Sequence, residues 1–395
     1  MVYESKKNKS AFRRTAEWLH LWLGLISGLI VFIVCFTGGL WVWRYEIARL
    51  TEKHQFVSVQ QKPTLQPSVL IAKTTAYLHN DSAKLANIIY SGPGRSVSIS
   101  YFLGKKGLAN LFVDPYDGHL IADKRKPDGY EISMLFIRAG HRFLWLPQKI
   151  GSPIVGSGCL IFLVMIITGL IWWYPQNWNK RARERSFQIK WSARWKRLNI
   201  DLHNVLGFYA AMVLFVLVTT GIYFSFAWFR HGLYRTLTWK APIELKVDDP
   251  SSDTTITVKP TIATAFDHIY QITLQKHADV TRLILPVPDK ASTPYQAMSF
   301  FGDGTIIYNR ATEFYDQGTL KPLHYIAQED KPYDEITTGE KVYRMNFDFH
   351  TGQILGLPTK ILAFIVCMIG ASLPITGTLI WYNRKWGKKK RINNP

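Results

Sequence analysis

Four apolar stretches constrain this chain more than any other feature. They occupy residues 18–43, 150–174, 202–228 and 357–382, with no Lys, Arg, Asp or Glu in their central parts. Each has the roughly 20 residues that, at about 1.5 Å rise, cross a hydrocarbon core about 30 Å thick. They read as four transmembrane helices.

Charge then orients them. The chain carries a formal charge of +20 despite 47% hydrophobic residues. Lys and Arg collect in "KKNKSAFRR" before the first stretch, "KRARERSFQIKWSARWKR" between the second and third, and "RKWGKKKR" after the fourth. The positive-inside rule puts all three runs, and both termini, in the cytoplasm, and residues 45–148 and 229–356 outside. One topology signal explains every run, so membrane lipid is an expected partner and nucleic acid is not. The first stretch is too long for a signal-peptide core and lacks an A-x-A-like site, so it is expected to stay in the mature protein. Cys35, Cys159 and Cys367 lie inside the stretches and form no C-x-x-C or C-x-x-C-H pattern, which argues for packing and against zinc, iron–sulfur or covalent c-type haem.

An internal duplication is legible. Aligned on His20 and His203, the first and third stretches share Gly24 and Gly207, Thr37 and Thr220, and Gly38 and Gly221. Basic pairs precede each histidine, Arg13 with Arg14 and Lys196 with Arg197. "GHRFLWLPQKIG" leads into the second stretch and "FHTGQILGLPTKIL" into the fourth, bringing His141 and His350; the stretches end in "TGLIWWY" and "TGTLIWY". Gap-free register argues for two duplicated halves, and the Thr-Gly pairs read as close-packing sites. The expected order is an N-terminus and first span (1–44), an outer module (45–148), a second span (149–174), a basic loop (175–201), a third span (202–228), a second module (229–356), then a fourth span and basic tail (357–395). Each module reads as α+β. The first has a helix in "PSVLIAKTTAYLHN", strands in "LANIIYS", "RSVSISYF" and "LANLFVD", and a turn at "DPYDGHL". The second has a helix in "PTIATAFDHIYQITL", strands in "VTRLILPV", "YQAMSFF" and "TIIYNR", a turn at "GDG", then "EFYDQGTL".

Two halves of two spans each run the same way through the membrane, so the duplication implies a pseudo-two-fold axis along the membrane normal. Such an axis pairs His20 with His203 at the cytoplasmic depth and His141 with His350 at the outer depth. Facing neutral imidazoles suit a non-covalent b-type haem with two axial histidines, and two haems at opposite faces suit electron transfer. Gly24 and Gly207, one turn beyond their histidines, would give a flat macrocycle room. Arg13, Arg14, Lys196 and Arg197 are candidates for its propionates, although membrane anchoring explains them equally. A bare zinc or copper site would recruit Cys, Asp or a third His, which the sequence does not offer nearby. His54, His79, His119, His231, His268, His277 and His324 lack ligand spacing and are expected to be solvated. Trp22, Trp41, Trp43, Trp172 and Trp173 fit an interfacial aromatic belt. No G-x-G-x-x-G follows a strand, so flavin or nicotinamide is not expected.

These motifs, with "HLWLGLISGLIVFIVCFTGGLW", "VDPYDGHL", "IVGSGCLIFLVMIITGLIWWYP" and "LHNVLGFY", resemble the PepSY-associated transmembrane family of iron-regulated inner-membrane proteins, which includes haem-containing siderophore reductases. The first turn departs from that family, reading D-P-Y-D-G where D-P-x-T-G is usual; the second, "DQG", is abbreviated. The resemblance implies an integral membrane α-helical protein of the bacterial inner membrane, four transmembrane helices in two duplicated halves with two periplasmic α+β PepSY-like modules. In the family's reductase branch it implies two haem b groups on His20, His203, His141 and His350; the family does not decide the substrate, the leading expectation is reduction of a ferric siderophore from Fe(III) to Fe(II), and the donor, quinol or a cytoplasmic reductase, stays open. Two rivals stay open. One is a non-redox PepSY membrane protein for ligand binding, sensing or siderophore transport; the other is a general cytochrome b quinol oxidoreductase.

Overall fold

The computed structural model describes residues 10–80, 82–175, 177–241, 250–324 and 331–387. Lys6, Lys7 and Lys9 of the first basic run, residues 388–391 of the third, and parts of the second outer segment (242–249 and 325–330) lie outside the described residues. The chain divides into two compact units. One combines the residues up to Arg44 with Ser133–His231 and the chain from Phe349; the other combines Tyr45–Ile132 with Gly232–Asp348.

The first unit holds four helices long and apolar enough to cross a membrane: Ala11–Val42, Gln148–Trp173, Trp195–Ile222 and Leu357–Trp386. The first begins earlier than its apolar run because the Ser10 hydroxyl caps it, accepting the Arg13 N–H at 3.3 Å. The third takes in the end of the basic loop. There Arg197 pairs with Asp201 across one turn at 2.8 Å, and residues Leu202–Leu206 form a π-helical turn around His203. The first and third spans each pack against the second and fourth. Val31, Cys35, Phe162, Leu214 and Val366 share the buried cluster, with Cys159 and Cys367 against it; all three thiols are free. Outward apolar side chains such as Ile26 (71% exposed) and Met212 (82%) are unfavourable in water and natural in lipid.

The second unit is built on one antiparallel sheet of β1 (Lys84–Tyr90), β2 (Val97–Phe102), β3 (Leu108–Val113), β4 (Leu120–Lys124), β5 (Val280–Pro286), β6 (Tyr295–Phe301), β7 (Arg310–Tyr315) and β8 (Pro322–Leu323). Its order is β4-β3-β2-β1-β5-β6-β7-β8. The two expected modules are therefore joined. β1 pairs with β5 through Ile88 opposite Leu285 and Ile89 opposite Ile284, and one core contains Leu70, Ile88, Ile99 and Leu111 from the first segment with Phe266, Ile269, Leu283 and Leu285 from the second. Burying both β1 and β5 at the join removes two sheet edges that separate modules would expose. Helices Pro67–Leu78 and Ile262–Lys276 are bridged by Asp267, whose carboxylate accepts the Ser68 N–H at 2.7 Å.

One expected strand is absent among the described residues. In "TIIYNR" the strand starts only at Arg310, because carboxylates take the amides a ladder would need. Asp303 accepts from the Thr305 and Ile306 N–H groups, and fully buried Asp348 accepts from Ile307 at 3.1 Å and Tyr308 at 3.0 Å. The expected domain edges also shift. Residues 133–148 and 349–356, read as parts of the outer modules, cluster with the spans, and these are the segments that carry His141 and His350.

Candidate functional site

Helix geometry brings four histidines together in two pairs within the first unit. The rings of His20 and His203 have centroids 6.3 Å apart at an interplanar angle of 83°, and those of His141 and His350 are 5.9 Å apart at 46°. His20 and His203 stand on the first and third spans; His141 rides on helix Gly129–Phe143 and His350 on the short helix Asn346–Thr351.

Local sequence explains how those two helices present their rings. After His141 the chain turns back sharply into the second span, and Leu144 and Trp145 adopt left-handed φ of 54° and 58°. The Trp145 indole folds over Gly140 and donates to the Phe136 carbonyl at 2.9 Å; a side chain at Gly140 would strike that indole, and one at Gly151 would strike the Phe143 carbonyl. After His350, Gly352 has φ +71°, and its carbonyl accepts the Thr359 hydroxyl at 2.7 Å. The motifs "GHRFLWLPQKIG" and "HTGQILGLPTK" are thus tight reversals that lead from a histidine into a span.

Every one of the four imidazoles turns its Nδ1 to a neighbouring span. His20 Nδ1 lies 3.0 Å from the Met165 carbonyl and 3.3 Å from Thr168 Oγ1. His141 Nδ1 lies 2.9 Å from the Val34 carbonyl. His203 Nδ1 lies 2.9 Å from Thr376 Oγ1. His350 Nδ1 lies 2.9 Å from the Leu217 carbonyl and 3.2 Å from Thr220 Oγ1. A carbonyl oxygen only accepts, so in the three rings that face one the Nδ1 carries the hydrogen and Nε2 is left with its lone pair. That is the tautomer a metal needs.

Several expected neighbours are engaged elsewhere. The Arg13 guanidinium donates to the Tyr174 and Trp172 carbonyls at 3.0 and 3.2 Å, closing the end of the second span, and Arg197 is paired with buried Asp201. The cation beside the His20 pair is instead Arg384, over the Trp172 ring at 5.6 Å, while Trp172 meets the His20 edge at 5.6 Å. Arg142 follows His141 directly and acts electrostatically on both outer-pair rings. A Cβ on Gly24 would crowd the Met165 methyl, and one on Gly207 would make ordinary contact with Leu373. Not all remaining histidines are solvated. His54 packs on Phe112 beside Glu52, and His277 on Phe301 beside Glu313, each ring side chain under one-fifth exposed. Asp114, Asp117 and His119 bring ligand atoms within 4.8 Å of one another, yet Asp114 and Asp117 already accept the Tyr116 and His119 N–H groups, so the cluster is a hydrogen-bonded turn.

Four apolar helices with a separate antiparallel sheet region, and paired imidazoles among the helices, define a membrane protein with a candidate cofactor site. Residues 17–384 match the PepSY-associated TM region family, and the chain belongs to that family. No curated protein matches it.

Proposed function

We infer that this protein is a di-haem reductase of the bacterial inner membrane that passes electrons outward to reduce ferric siderophore. The observation that carries the reading is the spacing of the imidazoles. Two imidazoles whose Nδ1 atoms are engaged on neighbouring spans would offer their Nε2 lone pairs to a metal group held between the rings. The two measured separations are 6.3 and 5.9 Å. Haem bound between two histidines supplies a one-electron carrier with no open coordination position.

The chain's own residues would bind and orient that group. His20 with His203 would hold the first and His141 with His350 the second, with Arg384 and Arg142 as candidates for their propionates. The basic runs orient both termini to the cytoplasm, so the sheet region is periplasmic and the outer pair faces the acceptor. The repeated histidine contacts support an origin by duplication. Quinol or a cytoplasmic reductase is the electron source; one electron converts siderophore-bound Fe(III) to weakly held Fe(II), which is released for uptake.

The purified protein is expected to show a Soret band and a reducible α-band. Absence of both would end this reading in favour of a non-redox binding or sensing protein. Anaerobic mixing of dithionite-reduced protein with ferric siderophore is expected to reoxidise the haem. Haem that stays reduced there but exchanges electrons with quinone would point to a general quinol oxidoreductase.

A further inference from the structure

We propose that the Thr-Gly steps of the four spans are seats that position the axial histidines, the glycine admitting the ring and the turn before it fixing the tautomer. The proposal rests on the di-haem reading and goes beyond it by assigning work to residues that touch no cofactor. A Cβ built on Gly169 would come within 2.9 Å of His20 Cε1, on Gly38 within 2.8 Å of His141 Cε1, on Gly221 within 3.0 Å of His350 Cε1, and on Gly377 within 3.2 Å of His203 Cε1. In each case the obstructed atom belongs to a rigid ring, so the ring must move. One glycine against one imidazole could be incidental packing; the same pairing in all four spans is not.

The residues before each glycine complete the seat. Met165, Val34, Leu217 and Leu373 each stand three positions before the threonine; the carbonyls of the first three meet the Nδ1 of the seated histidine, and His203 meets the Thr376 hydroxyl. Thr168 and Thr220 add a second acceptor to the carbonyl, and Thr376 supplies the acceptor that His203 meets. Thr168, Thr220 and Thr376 donate their own hydroxyl hydrogens to the carbonyls of Val164, Val216 and Ser372 one turn back, at 2.9, 2.7 and 3.0 Å. With that hydrogen committed, the hydroxyl oxygen presents only lone pairs to the ring, which forces the hydrogen onto Nδ1. Thr37 differs: its hydroxyl turns to the Ile33 carbonyl, and His141 is held by Val34 alone. A partner on the far nitrogen orients a ligating imidazole and raises its basicity, and losing such a partner typically costs about 10–100-fold in metal affinity.

The crossing pattern of the seats follows. The first span seats the histidine that leads into the second, and the second seats that of the first; the third and fourth exchange theirs likewise. Each imidazole is therefore held by a span adjacent to it in sequence and meets its partner ring across the bundle.

The test uses full-length protein purified with its haem. Gly38→Ala and Gly221→Ala are expected to shift or abolish one of two bis-imidazole electron paramagnetic resonance signals, and Gly169→Ala and Gly377→Ala the other. Gly39→Ala is the control, because its methyl would crowd Met368 and Cys367 and no imidazole; it is expected to leave both signals in place. Equal effects from Gly38→Ala and Gly39→Ala would reduce the seats to ordinary helix packing and overturn the proposal.

Thr376→Val and Thr376→Ser give a second measurement that survives weak folding of the glycine variants. Removing the acceptor makes His203 less basic and disfavours Fe(III), so Thr376→Val is expected to raise that haem's midpoint potential. A tenfold change in Fe(III) over Fe(II) preference is about 59 mV for a one-electron couple. Thr376→Ser keeps the hydroxyl and is expected to restore the original value; an unmoved potential in Thr376→Val would count against the seat. Absence of haem from the unaltered protein would end both this proposal and the reading beneath it. Two haems with unmoved signals and potentials in all the variants would end this proposal alone.

Discussion

Replacing His20 and its counterparts in pairs exposes the two-site arrangement to a quantitative test. Gly38, against which His141 packs, lies eighteen positions beyond His20 on one helix. At about 1.5 Å per residue the two pairs are about 27 Å apart. Perturbations more than about 7–10 Å apart are usually additive, whereas those within one constellation are not. Haem per chain, measured spectrally after extraction against protein concentration, is therefore expected to fall from two to one in His20→Ala, and to stay near one when His203→Ala is added. Combining His20→Ala with His141→Ala is expected to leave none. The potential of the surviving haem should be that of the unaltered protein. If His20→Ala and His141→Ala removed the same haem, or if the His20→Ala/His203→Ala double variant lost both, the pairing would be refuted.

Arg13→Ala removes hydrogen bonds from a charged donor to the Tyr174 and Trp172 carbonyls, each worth about 1.5–3 kcal/mol, and a longer one to Glu17. It is expected to lower the thermal midpoint with the haem count unchanged, and haem loss would instead restore Arg13 as a propionate partner. Leu285 is fully buried opposite Ile88 at the join of the sheet, so Leu285→Ala is expected to cost about 2–5 kcal/mol. Urea unfolding of the sheet should then shift as one transition; two separate transitions would mean that the strand quartets do not share a core. Burial alone would push the Glu340 carboxyl up, but Thr337 through its hydroxyl and N–H, and Lys240, hold it down at about 2. Its contribution is present above the unfolded value of about 4.3 and is lost as pH falls through about 2. Thermal midpoints of Glu340→Gln should accordingly depend less on pH between 5 and 2 than those of the unaltered protein.

The spans were legible because lipid demands an uninterrupted apolar length that little else in a sequence imitates, and the strands of β1 to β3, β5 and β6 because their alternation matched one buried face. The continuous sheet was not legible. Ile88 and Leu285 are separated by nearly two hundred residues, and no local pattern distinguishes a strand that ends a module from one that joins two. "TIIYNR" misled for a related reason: its β-branched run has strand character, but Asp303 nearby and distant Asp348 claim its amides. At the site, the histidines stood out by recurrence. The Thr-Gly steps recur just as regularly and by sequence read as packing, since two small residues permit close approach without showing what approaches. One signal was available: four spans, four Thr-Gly steps and four histidines, in equal number.

That equality bears on how the helices come together. Each histidine is seated on a span adjacent to it in sequence, with the first pair of spans exchanging seats and the last pair doing the same. Each pair of rings then closes between those two sets of spans, His20 with His203 and His141 with His350. Orientation is thus local and completion is long-range. A ligand held by both rings of a pair binds only the assembled bundle, so it stabilises that assembly by RT ln(1 + [L]/Kd), about 2.7 kcal/mol for each site at a hundredfold excess over Kd. Two sites about 27 Å apart along the spans would clamp the bundle near both ends, where loosely packed helices fray first. Seats built into the backbone would reduce the freedom each imidazole loses on binding, a use of glycine that further polar groups could not serve.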